Sequence, residues 1–303
     1  MRALLKSGPR VTWTTAPRRG VVAPDDVEVA VEVAGICRTD LYAARGLIPA
    51  ADPVILGHEF AGTVTAVGAA VDDLSPGGHV TASPLLDGPP GEPPRMVGVD
   101  LDGAFAEFIT LPRALLYPVP ATLSWPKAAY VEPVAASLAA VETPIDPTKD
   151  GAIVGDGRIA DLTHRVLTAH GFERLQTISL PDAADMPPES LDYVIETCAT
   201  TETFSAIFRL LRPGGTLVLK SRPDRPVPID VLTAVRKELR LVGAHYGSFR
   251  RAIELLHAGL PVDDLLGPIH APGDFERVFA DLHLDETRKH FFAFGEALFG
   301  EDL

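Results

Sequence analysis

Sulfur is scarce in this sequence: its 303 residues include two cysteines, Cys37 and Cys198, and three methionines. Two cysteines cannot build a disulfide framework, which points to a reducing cytoplasm. No apolar run approaches the ~18 residues of a membrane span, so no membrane association is expected. Residues 1–20 carry scattered basic side chains and no apolar stretch, so no secretory signal is expected there. Positive charge is also short: Lys and Arg number 27 against 41 Asp and Glu, a net charge of −14. So acidic a surface repels phosphate backbones and argues against a nucleic-acid partner. Internal repeats and low-complexity segments are missing too, which excludes solenoids and fibres.

What is present is the profile of a globular chain. Hydrophobic residues make up 46% and charged residues 22%, a balance that buries a core rather than staying disordered. The length suits two domains. The first third reads as strands and turns. Residues 27–33 and 60–67 alternate as half-buried strands do, 104–111 is a third strand, and 87–94 is a Pro/Gly-rich loop. A short helix is expected over 39–45. Near Pro126 the pattern changes: 127–141 is Ala-rich and helical, and strands then alternate with helices through residue 245. That alternation predicts a parallel, doubly wound sheet inserted into a β-rich domain. A helix over 249–257 and mixed elements to Leu303 follow. The expected division is 1–133 with 246–303 for the β-rich domain and 134–245 for the inserted one.

Three candidate metal ligands lie far apart. Cys37 sits in Gly35-Ile-Cys-Arg-Thr-Asp40, His58 in Gly57-His-Glu59, and Glu132 in Val131-Glu-Pro133. A thiolate, an imidazole and a carboxylate form an ordinary zinc ligand set with one position open, as a catalytic metal requires. Singly, each has a duller reading: a packed cysteine, a structural histidine, a helix start. The case rests on their occurring together among these glycines. A second motif, Gly155-Asp-Gly157-Arg-Ile-Ala160, follows a predicted strand and opens a predicted helix, the context of a dinucleotide turn.

Together these segments resemble the medium-chain dehydrogenase/reductase family of zinc alcohol dehydrogenases. The resemblance is strongest at residues 35–41, 57–68 (GHEFAGTVTAVG), 103–112 (GAFAEFITLP) and 128–135 (AAYVEPVA). It implies a GroES-like catalytic domain plus a Rossmann-like domain, one catalytic zinc per chain, and NAD or NADP. It further implies Cys37, His58 and Glu132 as ligands, the last as in the polyol, sugar and threonine dehydrogenase branches. Glu59 would lie behind the metal as an occasional ligand. Thr39 would relay the substrate proton, Asp40 would orient His58, and Arg38 would lie near the cofactor pyrophosphate. Gly155, Gly157 and Ala160 would form the cofactor turn.

Some positions depart from the family. The loop over 83–102 has no cysteine, so no second, structural zinc is expected. Tyr42 stands where some relatives place a relay histidine. Where an acidic residue normally holds the ribose stands Ser179, with no arginine for a 2′-phosphate, so NAD against NADP is not readable. The chain also runs so directly from Leu180 to Asp192 that a helix and an edge strand found in relatives have no room, and the sheet is expected to be truncated. The expected function is zinc-dependent hydride transfer between a secondary alcohol, whether polyol, cyclitol, sugar or amino alcohol, and its ketone. A redox-neutral or non-nicotinamide zinc reaction on the same fold, suggested by the trimmed adenosine half, is the alternative. A non-enzymatic zinc scaffold is disfavoured, because a scaffold needs no relay hydroxyl at Thr39. The expected partners are a small-molecule alcohol or ketone and further copies of the chain in a homo-oligomer.

Overall fold

Alternating apolar residues shape the first strands. In the computed structural model, which describes residues 1–89, 91–282 and 287–295, β1 (Arg2–Ser7) and β2 (Arg10–Thr15) form an antiparallel hairpin. Then come β3 (Asp26–Gly35), α1 (Arg38–Ala44), β4 (Val54–Ile55), β5 (Glu59–Val67) and β6 (His79–Ala82). The Pro/Gly-rich loop lies between the short pair β7 (Leu85–Leu86) and β8 (Arg95–Met96). β9 (Phe108–Pro112) and β10 (Leu116–Pro118) follow, and α2 (Trp125–Ala129) closes the run. The strand expected over 104–111 is shifted: Ala106 makes only a bridge to Ala3 before β9 begins.

The single helix expected over 127–141 is two. α2 stops at Ala129, and α3 (Val131–Leu138) starts anew after Tyr130. Pro133 explains the break. A proline lacks an N–H and clashes with the preceding turn unless it sits in a helix's first turn, where the restart places it.

The inserted segment follows the expected alternation. β11 (Gly151–Val154), α4 (Arg158–Thr168), β12 (Leu175–Ile178), α5 (Leu180–Asp185), β13 (Leu191–Glu196), α6 (Thr201–Leu210) and β14 (Leu211–Leu219) come in turn. α7 (Val231–Arg236) and β15 (Arg240–Gly243) complete it, and α8 (Phe249–His257) follows. All pairings are parallel and the strand order is β12-β11-β13-β14-β15. This is the doubly wound dinucleotide order without the strand beyond β12, as expected for the truncated sheet. One detail differs. The β12–β13 connection still holds a helix, α5, because Ser179 and Asp182 cap it reciprocally and Pro181 suits its first turn.

The chain ends with β16 (Leu266–His270), α9 (Phe275–Asp281) and β17 (Lys289–Ala293). The expected mixed elements beyond residue 295 lie outside the described residues. β17 joins the first sheet, whose order is β10-β6-β5-β3-β17-β16, with β9 also pairing β3. β3 is therefore a hub and is buried on both faces rather than one. Its Glu28 is buried as well, with both oxygens bound by Arg18 at 2.8 and 2.6 Å and one by Thr65 at 2.8 Å. Phe60, Phe105 and Phe292 lie in the core beside it, the last two edge to face at 5.2 Å. The residues fall into two compact units, Met1–Glu132 with Ile253–Leu303, and Pro133–Ala252.

Candidate metal centre

The centre is built where β3 ends. Ile36 N–H donates to the carbonyl of His290 on β17 (2.9 Å), and the chain then turns. Cys37 is extended and caps α1, its N–H held by Asp40 Oδ2 at 2.8 Å. The cap leaves the Cys37 thiol half-buried, with Sγ 3.8 Å from Thr39 Oγ1. Asp40 is wholly buried, and its other oxygen accepts from Gly57 N–H (3.1 Å) and lies 3.1 Å from His58 Nδ1. One carboxylate thus ties two distant segments together. It also sets the tautomer of the neutral ring: Asp40 accepts from Nδ1–H, so it is Nε2 that can present a lone pair once its proton is displaced. Gly57 adopts φ +96°, where a Cβ would stand 2.4 Å from the Phe105 ring, so only glycine delivers the next residue here.

His58 is 1% exposed, and its Nε2 is buried with no hydrogen-bond partner. Burial disfavours the charged imidazolium. The charge and hydrogen bond of Asp40, together with Cys37, outweigh that and hold the pKa well above the ordinary histidine value. The same negative groups that favour a proton on this ring favour a cation at Nε2. One ligating atom each of Cys37, His58 and Glu59 falls within 4.8 Å of the others. A soft sulfur, an orphaned imidazole nitrogen and a carboxylate fit zinc.

Glu59 opens β5 and is 2% exposed. Its Oε1 lies 3.9 Å from His58 Nε2, and its Oε2 pairs with the ammonium of Lys289, itself 1% exposed. Glu132, the last residue of the first unit, is buried in the first turn of α3. Its carboxylate is not among the three atoms gathered within 4.8 Å. Thr39 and Tyr42 stand three residues apart on α1, so their side chains share a face, and Arg38 is exposed at the helix start. Lys289 had no signal in the sequence, because only strand pairing across the whole chain brings it to Glu59.

In the second unit, β11 runs into Gly155, whose φ is +147° and whose added Cβ would stand 2.1 Å from Thr197 Oγ1. Gly157 caps α4, and Ala160 is buried in its first turn with its N–H on the Gly157 carbonyl at 2.9 Å. Strand, glycine turn and an eleven-residue helix thus follow one another as the sequence predicts. The Ser179 hydroxyl donates to Asp182 Oδ2 at 2.6 Å and caps α5. Glu196, missed in the sequence, ends β13 with 1% exposure; burial raises its pKa although it bonds Ser221.

A β-rich unit holding a Cys-His-Glu cluster, and a parallel α/β unit with a glycine turn, define a two-domain zinc dehydrogenase. The comparisons agree with that class. An alcohol dehydrogenase GroES-like domain matches residues 23–121, and a zinc-binding dehydrogenase domain matches residues 172–258. The chain is 25% identical to a D-xylulose reductase of Morganella morganii, over 79% of this chain and 84% of that one. It is also 25% identical to D-xylulose reductase A of Aspergillus niger, over 94% of each. A solved structure described as a zinc-binding dehydrogenase of Sinorhizobium meliloti 1021, bound to NADP, superposes with a TM-score of 0.87 at 26% identity, covering 96% of this chain and 98% of that one. The chain belongs to the zinc-dependent medium-chain dehydrogenase/reductase family.

Proposed function

We propose that this protein interconverts a secondary alcohol of the polyol or sugar class and its ketone, by hydride transfer with NAD(P) at a single zinc centre. The observation that carries the reading is the buried, partnerless Nε2 of His58, set by Asp40 beside Cys37 Sγ and the Glu59 carboxylate. Zinc, when bound, supplies Lewis acidity toward an alcohol or carbonyl oxygen. Cys37 and His58 hold the ion, with Glu132 as third ligand and Glu59 beside them. The Thr39 hydroxyl takes up the substrate proton and Tyr42, on the same face of α1, receives it. Arg38, Gly155, Gly157, Ala160 and Ser179 are assigned to the nucleotide; the last four fall in a domain of 134–245, while 1–133 and 246–303 form the catalytic domain that carries Arg38.

The substrate class is supported by the relatives, whose names are those of reductases acting on a ketose. Those names do not favour the redox-neutral alternative. A homo-oligomer is proposed on a separate observation: Ile229, Val231, Leu232 and Val235 are exposed at and before α7, close in sequence to the open edge strand β15.

The test combines metal analysis, NADH and NADPH titration by fluorescence, and turnover with D-xylulose and a panel of polyols. About one zinc per chain is expected, with saturable nucleotide binding and zinc-dependent oxidation of nicotinamide. Glu132→Ala is expected to lose metal or activity as severely as Cys37→Ala. A folded protein that binds no zinc, or whose zinc is irrelevant to turnover, overturns the reading.

A further inference from the structure

Lysine is almost never fully buried without a partner, since desolvating an ammonium is expensive. Lys289 is 1% exposed and spends its charge inside the metal cluster. Its Nζ donates to the Ile36 carbonyl at 3.0 Å, one residue before Cys37, and pairs with Glu59 Oε2. Space for the pair is reserved by Gly35, where a Cβ would stand 2.8 Å from Glu59 Oε2 and 3.3 Å from Lys289 Cε. Gly35 faces Glu59 on β5 and Phe291 on β17 in the strand register, so three strands converge on this one ion pair. Meanwhile Glu59 Oε1 looks toward His58 Nε2 at 3.9 Å, close enough that a small movement makes Glu59 a ligand.

We infer that Lys289 is a positioning residue: its ammonium restrains Glu59 so that the carboxylate stays beside the metal rather than on it. The inference rests on the zinc reading above. Two cations compete for one carboxylate. With Lys289 present, one oxygen of Glu59 is committed and its charge balanced, and the metal keeps a position for substrate. With Lys289 removed, a buried carboxylate has lost its ammonium counter-charge a few ångströms from a divalent ion, and the ion no longer competes with a lysine for it. Glu59 then becomes an added anionic ligand that tightens metal binding and blocks the substrate position.

The experiment uses the full-length protein loaded with zinc or, for spectroscopy, with cobalt(II). In Lys289→Met, zinc release to a chelator is expected to slow about tenfold or more, in the range seen when a metal's supporting groups are changed. The cobalt d–d bands are expected to weaken as coordination number rises, and kcat to fall. Lys289→Arg, which keeps the charge, is expected to restore wild-type spectrum and release rate. Lys289→Met combined with Glu59→Gln is expected to restore the spectrum, a rescue that a merely structural role for Lys289 does not give. If Lys289→Met binds metal with unchanged release and spectrum, the inference is overturned. If Lys289→Met does not fold, Glu59→Gln alone decides: its cobalt bands are expected to match wild type, and altered bands would show that Glu59 is already a resident ligand. A wild-type protein that takes up no metal is a different failure, that of the zinc reading.

Discussion

At the scale of single residues, Asp40 does the most with the least. Its two oxygens accept from the N–H groups of Cys37 and Gly57 and from His58 Nδ1. An amide cannot serve all three, because the Nδ2 of an asparagine would face another donor. Asp40→Asn is expected to keep the fold and to weaken zinc binding about 10- to 100-fold, the usual effect of losing a ligand's supporting partner; competition against a chelator measures it. Thr39 makes a contrasting case. Its hydroxyl lies 3.8 Å from the Cys37 sulfur and belongs to the proposed proton path. Thr39→Val keeps the β-branched shape, so zinc content and nucleotide affinity are expected to hold while turnover falls ~10²–10⁴-fold. Metal analysis with steady-state rates on one preparation checks it, and loss of zinc would show that Thr39 supports the metal instead.

At the scale of elements, β3 and its glycine decide whether the cluster can close. Gly35→Ala places a methyl group 2.8 Å from Glu59 Oε2 in a strand held on both edges. An overpacked core of this kind is expected to lose roughly 1–3 kcal/mol, read as a lower urea midpoint with an unchanged m-value. Gly155→Ala combines an unfavourable φ with a Cβ 2.1 Å from Thr197 Oγ1. It is expected to weaken NADH binding more than zinc binding, which fluorescence titration separates from metal analysis. The strands, the glycine turn and the shortened sheet were legible because periodicity and turn chemistry are local. α8 was readable to the residue for the same reason. Helix boundaries near Pro133 and Pro181 were not, because a proline's effect depends on which turn receives it. The clustered residues were legible through Gly57-His-Glu59 and its partner at Cys37, whereas Lys289 and Glu196 were not. The ion pair of Lys289 exists only through strand pairing and the raised pKa of Glu196 only through burial, and no short window of sequence contains either.

At the scale of the whole molecule, charge sets the response to pH. The chain carries a net charge of −14, yet some carboxylates are held charged by arginine. Hydrogen bonds from Arg18 keep Glu28 below its ordinary value of 4.5 against the opposing effect of burial, and Arg174 with Arg212 does the same for Asp150. A depressed carboxyl stabilises the fold above its ordinary pKa, and that stability is lost as pH falls through the folded value. Glu196, raised by burial, acts in the opposite sense: protonating it favours the folded state as pH falls. Urea midpoints are therefore expected to hold down to about pH 5 and drop below it. Glu28→Gln should show a shallower drop, and an equal drop would remove the Arg18 pair from the account. The same molecule also has a timetable. Lys289 bonds Ile36 across 253 residues of sequence. At ribosomal speeds of 5–20 residues per second, roughly 10–50 s separate the synthesis of the two. During that interval the nascent chain presents Cys37, His58 and Glu59 before the lysine exists. An ion captured in that interval would meet a ligand set without its lysine, and only the arrival of β17 would give the finished protein its say.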